Sequence, residues 1–241
     1  MILLILASGR GTRLKYKTKN KPKCLINING KPILSYQEEF INKFNKIIIV
    51  AGYKSSKVKR FFKDKKVKFI LNKNYKSSNM VESIFCARKH INDDVVIIYS
   101  DIIFEFSIIN LLKKKITTMP VKRNWYQVWK KRMDKKKIKK DAENIEIRNG
   151  KLISIGGKII NKIPKYQFMG ILKVVKKDFK IMKDYYYKLN NKKIDLTRFI
   201  NYYLKESKKN IFCPNTNKFW FEIDTLRDLK AVNNILKKRK W

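Results

Sequence analysis

The first hundred residues contain four short apolar runs, and their regular spacing constrains the fold more than any other feature of the sequence. Each run is rich in Ile, Leu or Val, and segments of helical periodicity separate the runs. Strands buried on both faces of a parallel sheet read as apolar runs, and their alternation with helices indicates βαβ units. The runs are residues 1–7, 46–51, 67–71 and 95–99, and the predicted helices are 32–44, 55–63 and 80–91. We therefore predict an α/β, Rossmann-like, mostly parallel sheet flanked by helices, with ligands beyond the carboxyl ends of the strands.

The second half of the chain is less regular and predicts a small insertion that carries a hairpin. Asn149-Gly150 lies between two short strand-like segments, and this dipeptide supplies the positive φ values of a tight turn. No repeat or linker divides the chain, so we predict one domain over residues 1–241 with a mixed sheet. The remaining predicted elements are hairpin strands 143–148 and 152–155, strands 167–172 and 219–224, and helices 130–140, 176–188 and 195–206, with a closing helix opened by Thr225.

The charge of the chain is extreme, but its distribution argues against a dedicated nucleic-acid function. Lys and Arg number 59 against 19 Asp and Glu, a formal charge of +40, and 44% of the residues are apolar, which argues against disorder. The lysines are spread from Lys15 to Lys240 with no recognition module among them. An anionic small ligand fits such a surface. A basic protein that binds nucleic acid or an anionic membrane remains the alternative from another class, and segment 176–205 leaves amphipathic anchoring open.

The cysteine spacing, the single histidine and the first residues argue against several further classes of protein. Cys24, Cys86 and Cys213 show no disulfide or zinc spacing, and the single histidine, His90, excludes a histidine-based triad or metal site. Residues 1–7 lack the basic start of a signal peptide. No apolar stretch reaches the roughly 18 residues of a membrane span. We predict a cytoplasmic protein.

A glycine loop directly after the first strand is the most informative segment for chemistry. Glycines let backbone N–H groups converge on a phosphate, and the cations Arg13, Lys21 and Lys23 follow closely. Leu14 stands where a dinucleotide fingerprint needs a third small residue, and no P-loop pattern is present. A glycine turn without chemical consequence is the alternative. The loop residues predicted to bind a nucleotide are Leu6, Ala7, Ser8, Gly9, Arg10, Gly11, Thr12 and Arg13.

Two aspartates at strand ends predict a metal site. Asp101 follows the fourth apolar run and Asp224 ends the last predicted strand. Neighbouring strand ends of a parallel-type sheet can place both carboxylates at one rim, and Mg²⁺ prefers one or two carboxylates together with phosphate oxygens. The alternatives are a helix cap at Asp224 and a strand-end turn at Asp101.

The G-x-G-T-R-L loop with the later Lys21-Pro22-Lys23 resembles the signature of the sugar-nucleotide pyrophosphorylase-like nucleotidyltransferases. Further segments are similar to those of the small cytidylyltransferases that act on phosphocholine or 2-aminoethylphosphonate, the phosphonate branch being closer. Ser8 replaces the commoner Ala, and Lys122 stands where an acidic residue is expected. The resemblance covers essentially the whole chain. Its further segments are Asn79-Met80 with Ser83, Tyr99-Ser100-Asp101-Ile102-Ile103, Asp141-Ala142-Glu143, Gln167-Phe168-Met169-Gly170 and Glu222-Ile223-Asp224-Thr225.

The resemblance implies a nucleotidyltransferase-type fold and a reaction in which an acceptor phosphate or phosphonate oxygen attacks the α-phosphorus of CTP and pyrophosphate leaves. Mg²⁺ on Asp101 and Asp224 would bridge α-phosphate and acceptor, Lys23 would stabilise the α-phosphoryl oxygens, and Arg13 with the loop would hold the β and γ groups. No general base is needed, because the acceptor is already ionised. The residues implied to surround the base and nucleotide are Ala51, Gly52, Tyr53, Asn79, Ser83 and Ser100. The alternative is that Ser78 or Asn79 only caps the helix that follows.

The acceptor end rests on a second group of residues. Trp125 and Trp129 are four apart, and carboxylates follow them, a combination that suits a cationic head group. Two core tryptophans are the alternative, and the hypothesis for Asp141 is that it binds an ammonium. The acceptor-binding residues are predicted to be Trp125, Trp129, Asp141, Glu143, Gly170 and Glu222.

These observations predict a Mg²⁺-dependent cytidylyltransferase that transfers CMP from CTP to 2-aminoethylphosphonate or a related aminoalkyl phosphonate. Phosphocholine and then a sugar 1-phosphate are the alternative acceptors. Residues 1–114 are predicted to form the nucleotide-binding half and residues 115–241 the acceptor-binding half of the domain. A homodimer is compatible with the sequence.

Overall fold

A twisted β-sheet at the centre of the molecule carries the site. The computed structural model describes residues 1–130, 133–159, 163–191 and 193–238. The strands in this part of the chain are β1 (Ile2–Ala7), β2 (Asn27–Ile28), β3 (Lys31–Pro32), β4 (Lys46–Ala51), β5 (Val67–Leu71), β6 (Val95–Tyr99), β7 (Ile102–Phe104), β8 (Val121–Lys122), β9 (Ile145–Arg148), β10 (Lys151–Ile155), β11 (Gln167–Phe168), β12 (Ile171–Val174), β13 (Asn215–Thr216) and β14 (Trp220–Glu222).

Helices cover this sheet and connect its strands. The α-helices are α1 (Glu38–Ile41), α2 (Ser55–Phe61), α3 (Met80–Cys86), α4 (Trp125–Trp129), α5 (Lys135–Asp141), α6 (Lys176–Lys188), α7 (Leu196–Ser207) and α8 (Leu226–Lys237). Turns of 3₁₀ helix occupy Thr12–Thr18, Lys23–Leu25, Ile33–Gln37, Arg88–His90 and Phe106–Leu112. Among the described residues, no helix combines the length and the apolar character that crossing a membrane requires.

The central sheet has the strand order β12-β6-β1-β4-β5 within the described residues. β1 pairs in parallel with both β4 and β6, β4 pairs in parallel with β5, and β12 runs antiparallel to β6. Every residue of β1 is buried, as expected for a strand covered on both faces. The predicted Rossmann-like, mostly parallel mixed sheet flanked by helices is confirmed.

Alternate residues of the central strands enter two separate cores. Leu4 and Ile48 pack with α3 and α7 on one face of the sheet, whereas Leu3, Ile5 and Ile49 pack on the other face. This alternation follows from the period of two along a strand. A third, smaller core lies under α8 and includes Leu14 of the turn that follows the glycine loop. The loop is therefore fixed on both sides by buried apolar residues.

The hairpin predicted at Asn149-Gly150 is present. β9 and β10 pair antiparallel, and the two turn residues have φ values of 50° and 72°. Segment 167–172, predicted as one strand, is instead divided into β11 and β12 at Gly170. Gly170 has φ +73°, and a Cβ there would lie 2.9 Å from Cδ2 of Tyr99, so the chain turns where only glycine leaves room.

Three predicted helices have different bounds in the structure. The segment predicted as helix 32–44 is a 3₁₀ turn followed by the short α1, and Pro32 precedes the turn. The helix predicted over 80–91 leaves α geometry after Cys86 and continues as a 3₁₀ turn. In segment 130–140, Asp134 caps α5 by accepting a hydrogen bond from the Lys137 backbone, so the helix begins later than predicted. Residues 131–132 lie outside the described part.

Candidate active site

A cavity of about 330 Å³ opens at the carboxyl ends of the central strands. Its walls are the glycine loop after β1, the turn after β6, the residues after β5 and the start of α3. The sequence-predicted residues that line this main cavity are Leu6, Ser8, Gly9, Gly11, Thr12, Arg13, Lys23, Asn79, Ser83, Ser100, Asp101, Glu222 and Asp224.

The two glycines of the loop have different surroundings. Gly11 has φ +73°, and a Cβ at this position would lie 2.8 Å from Cβ of Lys23. A Cβ at Gly9 would have nothing within 4 Å. Gly11 therefore permits the close approach of the Lys23 side chain, whereas Gly9 borders open space.

Lys23 joins the two aspartates of the predicted metal site. Its Nζ lies 2.6 Å from Oδ2 of Asp101 and also donates a hydrogen bond to Oδ1 of Asp224. Arg13 contributes a second cation, with Nη2 3.0 Å from Oδ1 of Asp224. The Lys23 side chain is only 12% exposed and that of Asp224 only 8%. Four charged groups thus meet at one point of the cavity, although Asp101 and Asp224 are far apart in the sequence.

A short antiparallel ladder brings the two aspartates together. β7 and β14 pair with Ile102 opposite Glu222, and the Ile223 N–H donates to the Asp101 carbonyl at 3.0 Å. The aspartates therefore do not terminate neighbouring strands of the parallel sheet, and that prediction is wrong. The ladder lies outside the central sheet because β6 continues through the turn at Asp101 into β7.

The helix that follows Asp224 leaves its carboxylate available to the cavity. Thr225, and not Asp224, is the N-cap of α8, and its hydroxyl accepts from the Asp228 N–H. The Asp228 carboxylate in turn accepts from the N–H groups of Asp224 and Thr225 at 3.0 and 2.8 Å. This capping box holds the backbone of Asp224 in place.

The charges at this point reinforce one another. Burial lowers the pKa of Lys23, but the carboxylates of Asp101 and Asp224 outweigh that effect, and its pKa is raised. Arg13 behaves in the same way: burial lowers its pKa, while Asp224 and Asp141 raise it to a net upward shift. Both side chains are therefore cations at neutral pH.

The pair of aspartates fits a divalent cation in combination with a phosphate. The two carboxylates already share one cation, Lys23, and Asp101 Oδ1 is buried without a hydrogen-bond partner in the described part of the chain. No group of three or more His, Cys, Asp or Glu side chains suited to a metal occurs among the described residues. Mg²⁺ is commonly held by one or two carboxylates and completed by phosphate oxygens and water, so two carboxylates are sufficient.

A network of small polar side chains forms another part of the main-cavity wall. The Asn72 amide donates to the hydroxyls of Ser78 and Ser83 at 3.2 and 3.0 Å, and Ser83 donates to Ser8 at 3.2 Å. Ser8 completes the network by donating to the Val50 carbonyl. The network is buried and presents hydroxyl and amide groups suited to the edge of a base.

Sequence reasoning missed part of the main-cavity wall. The lining residues that were not among the predicted site residues are Asn72, Tyr75, Ser78, Met80 and Tyr99. Asn72 directly follows β5, so the rule that polar residues at strand ends face the ligand could have identified it. Tyr75 carries no such signal, because its position depends on the loop after that strand.

Some predicted nucleotide-binding residues lie beside the main cavity and shape it. Ala7, Arg10, Ala51, Gly52 and Tyr53 are not among its lining residues. A Cβ at Gly52 would lie 2.4 Å from Cβ of Tyr75, and the Tyr53 N–H donates to the Ser8 carbonyl. Gly52 and Tyr53 therefore support Tyr75 and the glycine loop. The Arg10 side chain is exposed, and its guanidinium lies over the Tyr53 ring.

A smaller side chamber of about 230 Å³ adjoins the main cavity. The two share Arg13, Met80, Tyr99, Glu222 and Asp224 in their walls, so they are continuous. Of the predicted acceptor-binding residues, Trp129, Asp141, Glu143, Gly170 and Glu222 line the side chamber, together with Gln167, Phe168, Asp195, Leu196 and Thr197.

Carboxylates dominate the side chamber. The charge of Asp141 is balanced by Arg13, whose Nη1 lies 3.2 Å from Oδ1. Burial, followed by the charges of Asp195 and Asp141, raises the pKa of Glu143 to about 7. Asp195 was missed, because at the start of α7 it reads only as a helix cap, a role it also fills by accepting from the Arg198 N–H.

Two positions singled out in the sequence lie outside both cavities. Trp125 is completely buried, its indole donates to the Pro164 carbonyl at 3.0 Å, and it lines neither cavity. The structure therefore favours the core alternative for Trp125, while Trp129, 1% exposed, reaches the chamber wall. Lys122 is buried in β8, donates to the Lys218 carbonyl at 2.8 Å and also lines neither cavity.

Comparisons with known proteins found similar sequences and a similar fold. A family profile described as "MobA-like NTP transferase domain" matches residues 3–130. The chain is 28% identical to a CTP:phosphoglutamine cytidylyltransferase of Campylobacter jejuni, with 96% of this chain and 98% of that protein covered. It is 24% identical to a choline-phosphate cytidylyltransferase of Streptococcus pneumoniae, with 98% and 99% covered. The structure of an inositol-1-phosphate CTP transferase from T. maritima shares the fold, with a TM-score of 0.77, 17% identity, and 100% and 98% coverage.

Proposed function

Because the chain belongs to the MobA-like NTP transferase family, we propose that this nucleotidyltransferase is a cytidylyltransferase that transfers CMP from CTP to a phosphate-bearing or phosphonate-bearing acceptor. One observation carries the proposal. Lys23, Asp101 and Asp224 meet beside the glycine loop, in a cavity whose wall also holds the network of amide and hydroxyl groups that suits the edge of a base. Two relatives that align with nearly the whole chain are cytidylyltransferases, which supports CTP as the nucleotide.

For the acceptor we propose 2-aminoethylphosphonate or a closely related aminoalkyl phosphonate. The side chamber supports an acceptor with a positive end, because carboxylates dominate its wall. Its cavity of about 230 Å³ suits a small molecule. Phosphocholine is the alternative acceptor, supported by the choline-phosphate cytidylyltransferase relative. The name of the other relative gives phosphoglutamine as its acceptor.

In this proposal the glycine loop and Arg13 hold the β- and γ-phosphates. The loop places Gly9, Gly11 and Thr12 at the cavity wall, and the backbone of such a loop offers N–H groups to an anion. Arg13 lies at the junction of both cavities, where a guanidinium can bind two phosphate oxygens at once.

Lys23 is proposed to stabilise the α-phosphoryl oxygens during transfer. Its side chain is nearly buried and its charge is maintained by the carboxylates beside it. A cation fixed in advance in a poorly solvated place stabilises charge that grows in the transition state. Phosphoryl transfer depends mainly on such positioning and neutralisation.

Asp101 and Asp224 are proposed to hold Mg²⁺ together with phosphate oxygens. When bound, the ion would neutralise negative charge on the phosphates and orient them. The acceptor needs no general base, because its phosphonate is already ionised at neutral pH. An acceptor oxygen bonds to the α-phosphorus of CTP, the bond to the pyrophosphate oxygen breaks, and pyrophosphate leaves.

Pyrophosphate release over a matrix of nucleotides and acceptors tests this function. We expect release with CTP and an aminoalkyl phosphonate, dependence on added Mg²⁺, and at least about a 10³-fold loss in Asp101→Asn. Asp64→Asn is the matched control, since Asp64 is exposed and lines neither the main cavity nor the side chamber.

Two results would contradict the proposal. Release only with a hexose 1-phosphate would replace the acceptor class. An inactive protein that binds duplex or anionic vesicles with a steep salt dependence, indifferent to Asp101→Asn, would instead support the basic binding protein.

A further inference from the structure

The side chamber has the opposite charge to the rest of the molecule. The chain carries +40, yet five of its 19 acidic residues line this chamber. Within the described part of the chain, Arg13 is the one cationic side chain in its wall, and no lysine contributes to it. In a chain so rich in lysine, a wall with five carboxylates and one cation indicates that the chamber binds a cation.

The carboxylates of the chamber differ in whether the protein neutralises them. Arg13 lies beside Asp141 and Asp224, and Arg198 Nε lies 3.2 Å from Oδ2 of Asp195. The charge of Glu222 raises the pKa of both Arg13 and Lys23, so this carboxylate also lies near cations of the protein. Among the described residues, no lysine or arginine lies within salt-bridge distance of Glu143. Glu143 is therefore the chamber carboxylate for which a ligand would supply the cation.

The backbone and neighbours of Glu143 hold it in the chamber. Its N–H donates to Oε1 of Gln167 at 3.2 Å. The Thr197 hydroxyl lies 2.8 Å from Oδ1 of Asp195 and also within hydrogen-bonding reach of Glu143. Gly156 has φ +89°, and a Cβ there would lie 3.0 Å from Oγ1 of Thr197. The pair formed by Glu143 and Thr197 is thus packed closely enough to require a glycine opposite it.

The aromatic residues of the chamber are poorly placed for a quaternary ammonium. A quaternary ammonium has no N–H group, and proteins recognise it through the faces of aromatic rings. Trp129 is 1% exposed and Phe168 is 7% exposed, so little of either ring is open to the chamber. Tyr99 is half-buried, and its ring packs edge to face against Phe168 and closely against Gly170. The carboxylates of Glu143, Asp195 and Asp141 are not fully buried, and they accept hydrogen bonds from N–H donors.

Resting on the proposed cytidylyltransferase function, we propose that Glu143 binds the acceptor's ammonium through its N–H donors, with Asp195 and Thr197 as positioning residues. The acceptor class is accordingly a phosphonate or phosphate with an amine that keeps N–H groups. This assignment differs from the sequence hypothesis for Asp141, whose carboxylate is engaged with Arg13.

Three acceptors with one carbon framework test the assignment: 2-aminoethylphosphonate, its N,N,N-trimethyl analogue, and ethylphosphonate. We expect kcat/KM to fall about tenfold or more with the trimethyl compound and about a hundredfold with ethylphosphonate, because a charged hydrogen bond is lost. Equal or better turnover of the trimethyl compound would overturn the inference while the cytidylyltransferase function stands. No release with any acceptor or nucleotide would contradict the proposed function itself.

Paired variants separate ligand binding from structure. In Glu143→Gln we expect the KM for 2-aminoethylphosphonate to rise about tenfold or more, the KM for CTP to stay unchanged, and the trimethyl and ethyl compounds to be little affected. Asp195→Asn keeps a residue that can cap α7, and we expect a smaller, severalfold rise in acceptor KM. Asp134→Asn is the matched control, because Asp134 caps α5 and is not in the chamber wall. An equal loss for all three acceptors in Glu143→Gln would indicate a structural role and overturn the assignment.

A pH profile gives a second readout. The ionisable groups in the chamber wall with Glu143 are Arg13, Tyr99, Asp141, Asp195, Glu222 and Asp224. Because the pKa of Glu143 is raised to about 7, we expect the acceptor KM to rise as the pH falls through 7. This dependence should disappear in Glu143→Gln and persist in Asp134→Asn. A profile unchanged by Glu143→Gln would contradict the inference.

Discussion

The main cavity and the side chamber are continuous, yet they treat negative charge in opposite ways. In the main cavity, Asp101 and Asp224 are neutralised by Lys23, a cation that belongs to the protein. In the side chamber, Glu143 has no cationic partner among the described residues, and its pKa is raised. Under the proposed function this difference has a physical reason. A triphosphate brings only negative charge and needs cations in place, whereas an aminoalkyl acceptor brings its own.

The largest test of this comparison removes the cation of the main cavity. In Lys23→Met we expect kcat to fall by about 10³-fold, because growing negative charge loses its fixed counter-charge. Lys21→Met is the matched control, since Lys21 belongs to the same K-P-K segment but is exposed and lines neither cavity. Steady-state pyrophosphate release measures both variants. Equal losses in the two would show that position in the segment, and not contact with the aspartates, determines activity.

The second test concerns the glycine that admits Lys23. In Gly11→Ala the new Cβ would collide with Cβ of Lys23, so we expect kcat/KM for CTP to fall about a hundredfold. Gly9→Ala, in the same loop, adds a Cβ with nothing of the protein within 4 Å, so it leaves Lys23 in place and should cost less than Gly11→Ala. Measured CTP dependence decides the outcome. A Gly9 effect as large as that of Gly11 would mean that the open space beside Gly9 is needed by the nucleotide.

The sequence predicted the central sheet well, because buried parallel strands leave continuous apolar runs. β5 and β6 occur at the predicted bounds, and family membership confirms the resemblance seen in the glycine loop. Sequence reasoning also identified most of the residues that line the main cavity. It could not predict how Asp101 and Asp224 meet, since the β7–β14 ladder joins strands of three residues whose pairing is set by tertiary structure.

The side chamber was harder to predict, because its residues come from loops and helix starts. Asp195 and Thr197 resemble an ordinary cap at the beginning of α7, and a cap pattern alone does not say what lies opposite it. Trp125 and Trp129 are four residues apart on α4, a spacing that does not distinguish them. Trp125 nevertheless belongs to the core, whereas Trp129 reaches the chamber wall. Only the packing of α4 distinguishes them.

The third test uses this pair of tryptophans to sharpen the boundary of the chamber. In Trp129→Phe we expect the acceptor KM to rise severalfold, about 1 kcal/mol of binding, because part of the chamber wall is removed. Trp125→Phe should leave the acceptor KM within about twofold while lowering the melting temperature, since its buried indole also loses the hydrogen bond to Pro164. Kinetics and thermal unfolding of both variants provide the comparison. A rise in acceptor KM confined to Trp125→Phe would reverse the assignment.

The smallest expected effect is on stability and isolates the charge of Glu143. Its folded-state pKa of about 7 lies above the usual value of 4.5, so the folded protein binds this proton more tightly than the unfolded chain. The free energy of unfolding should therefore decrease as the pH rises from about 4.5 to 7, and then show no further change from this group.

Glu143→Gln removes the ionisation, so above pH 7 it should raise the melting temperature by roughly 2–4 °C, or about 1 kcal/mol. The advantage should shrink towards pH 4.5 and vanish below it, where the wild-type carboxyl becomes protonated in both states. Asp134→Asn should show no such gain, because the pKa of exposed Asp134 is lowered through its hydrogen bonds with Lys137 and its charge therefore favours folding. Thermal unfolding of the three proteins across this pH range measures the effect. A gain in Glu143→Gln that is independent of pH would mean that side-chain packing, and not unbalanced charge, distinguishes the side chamber from the main cavity.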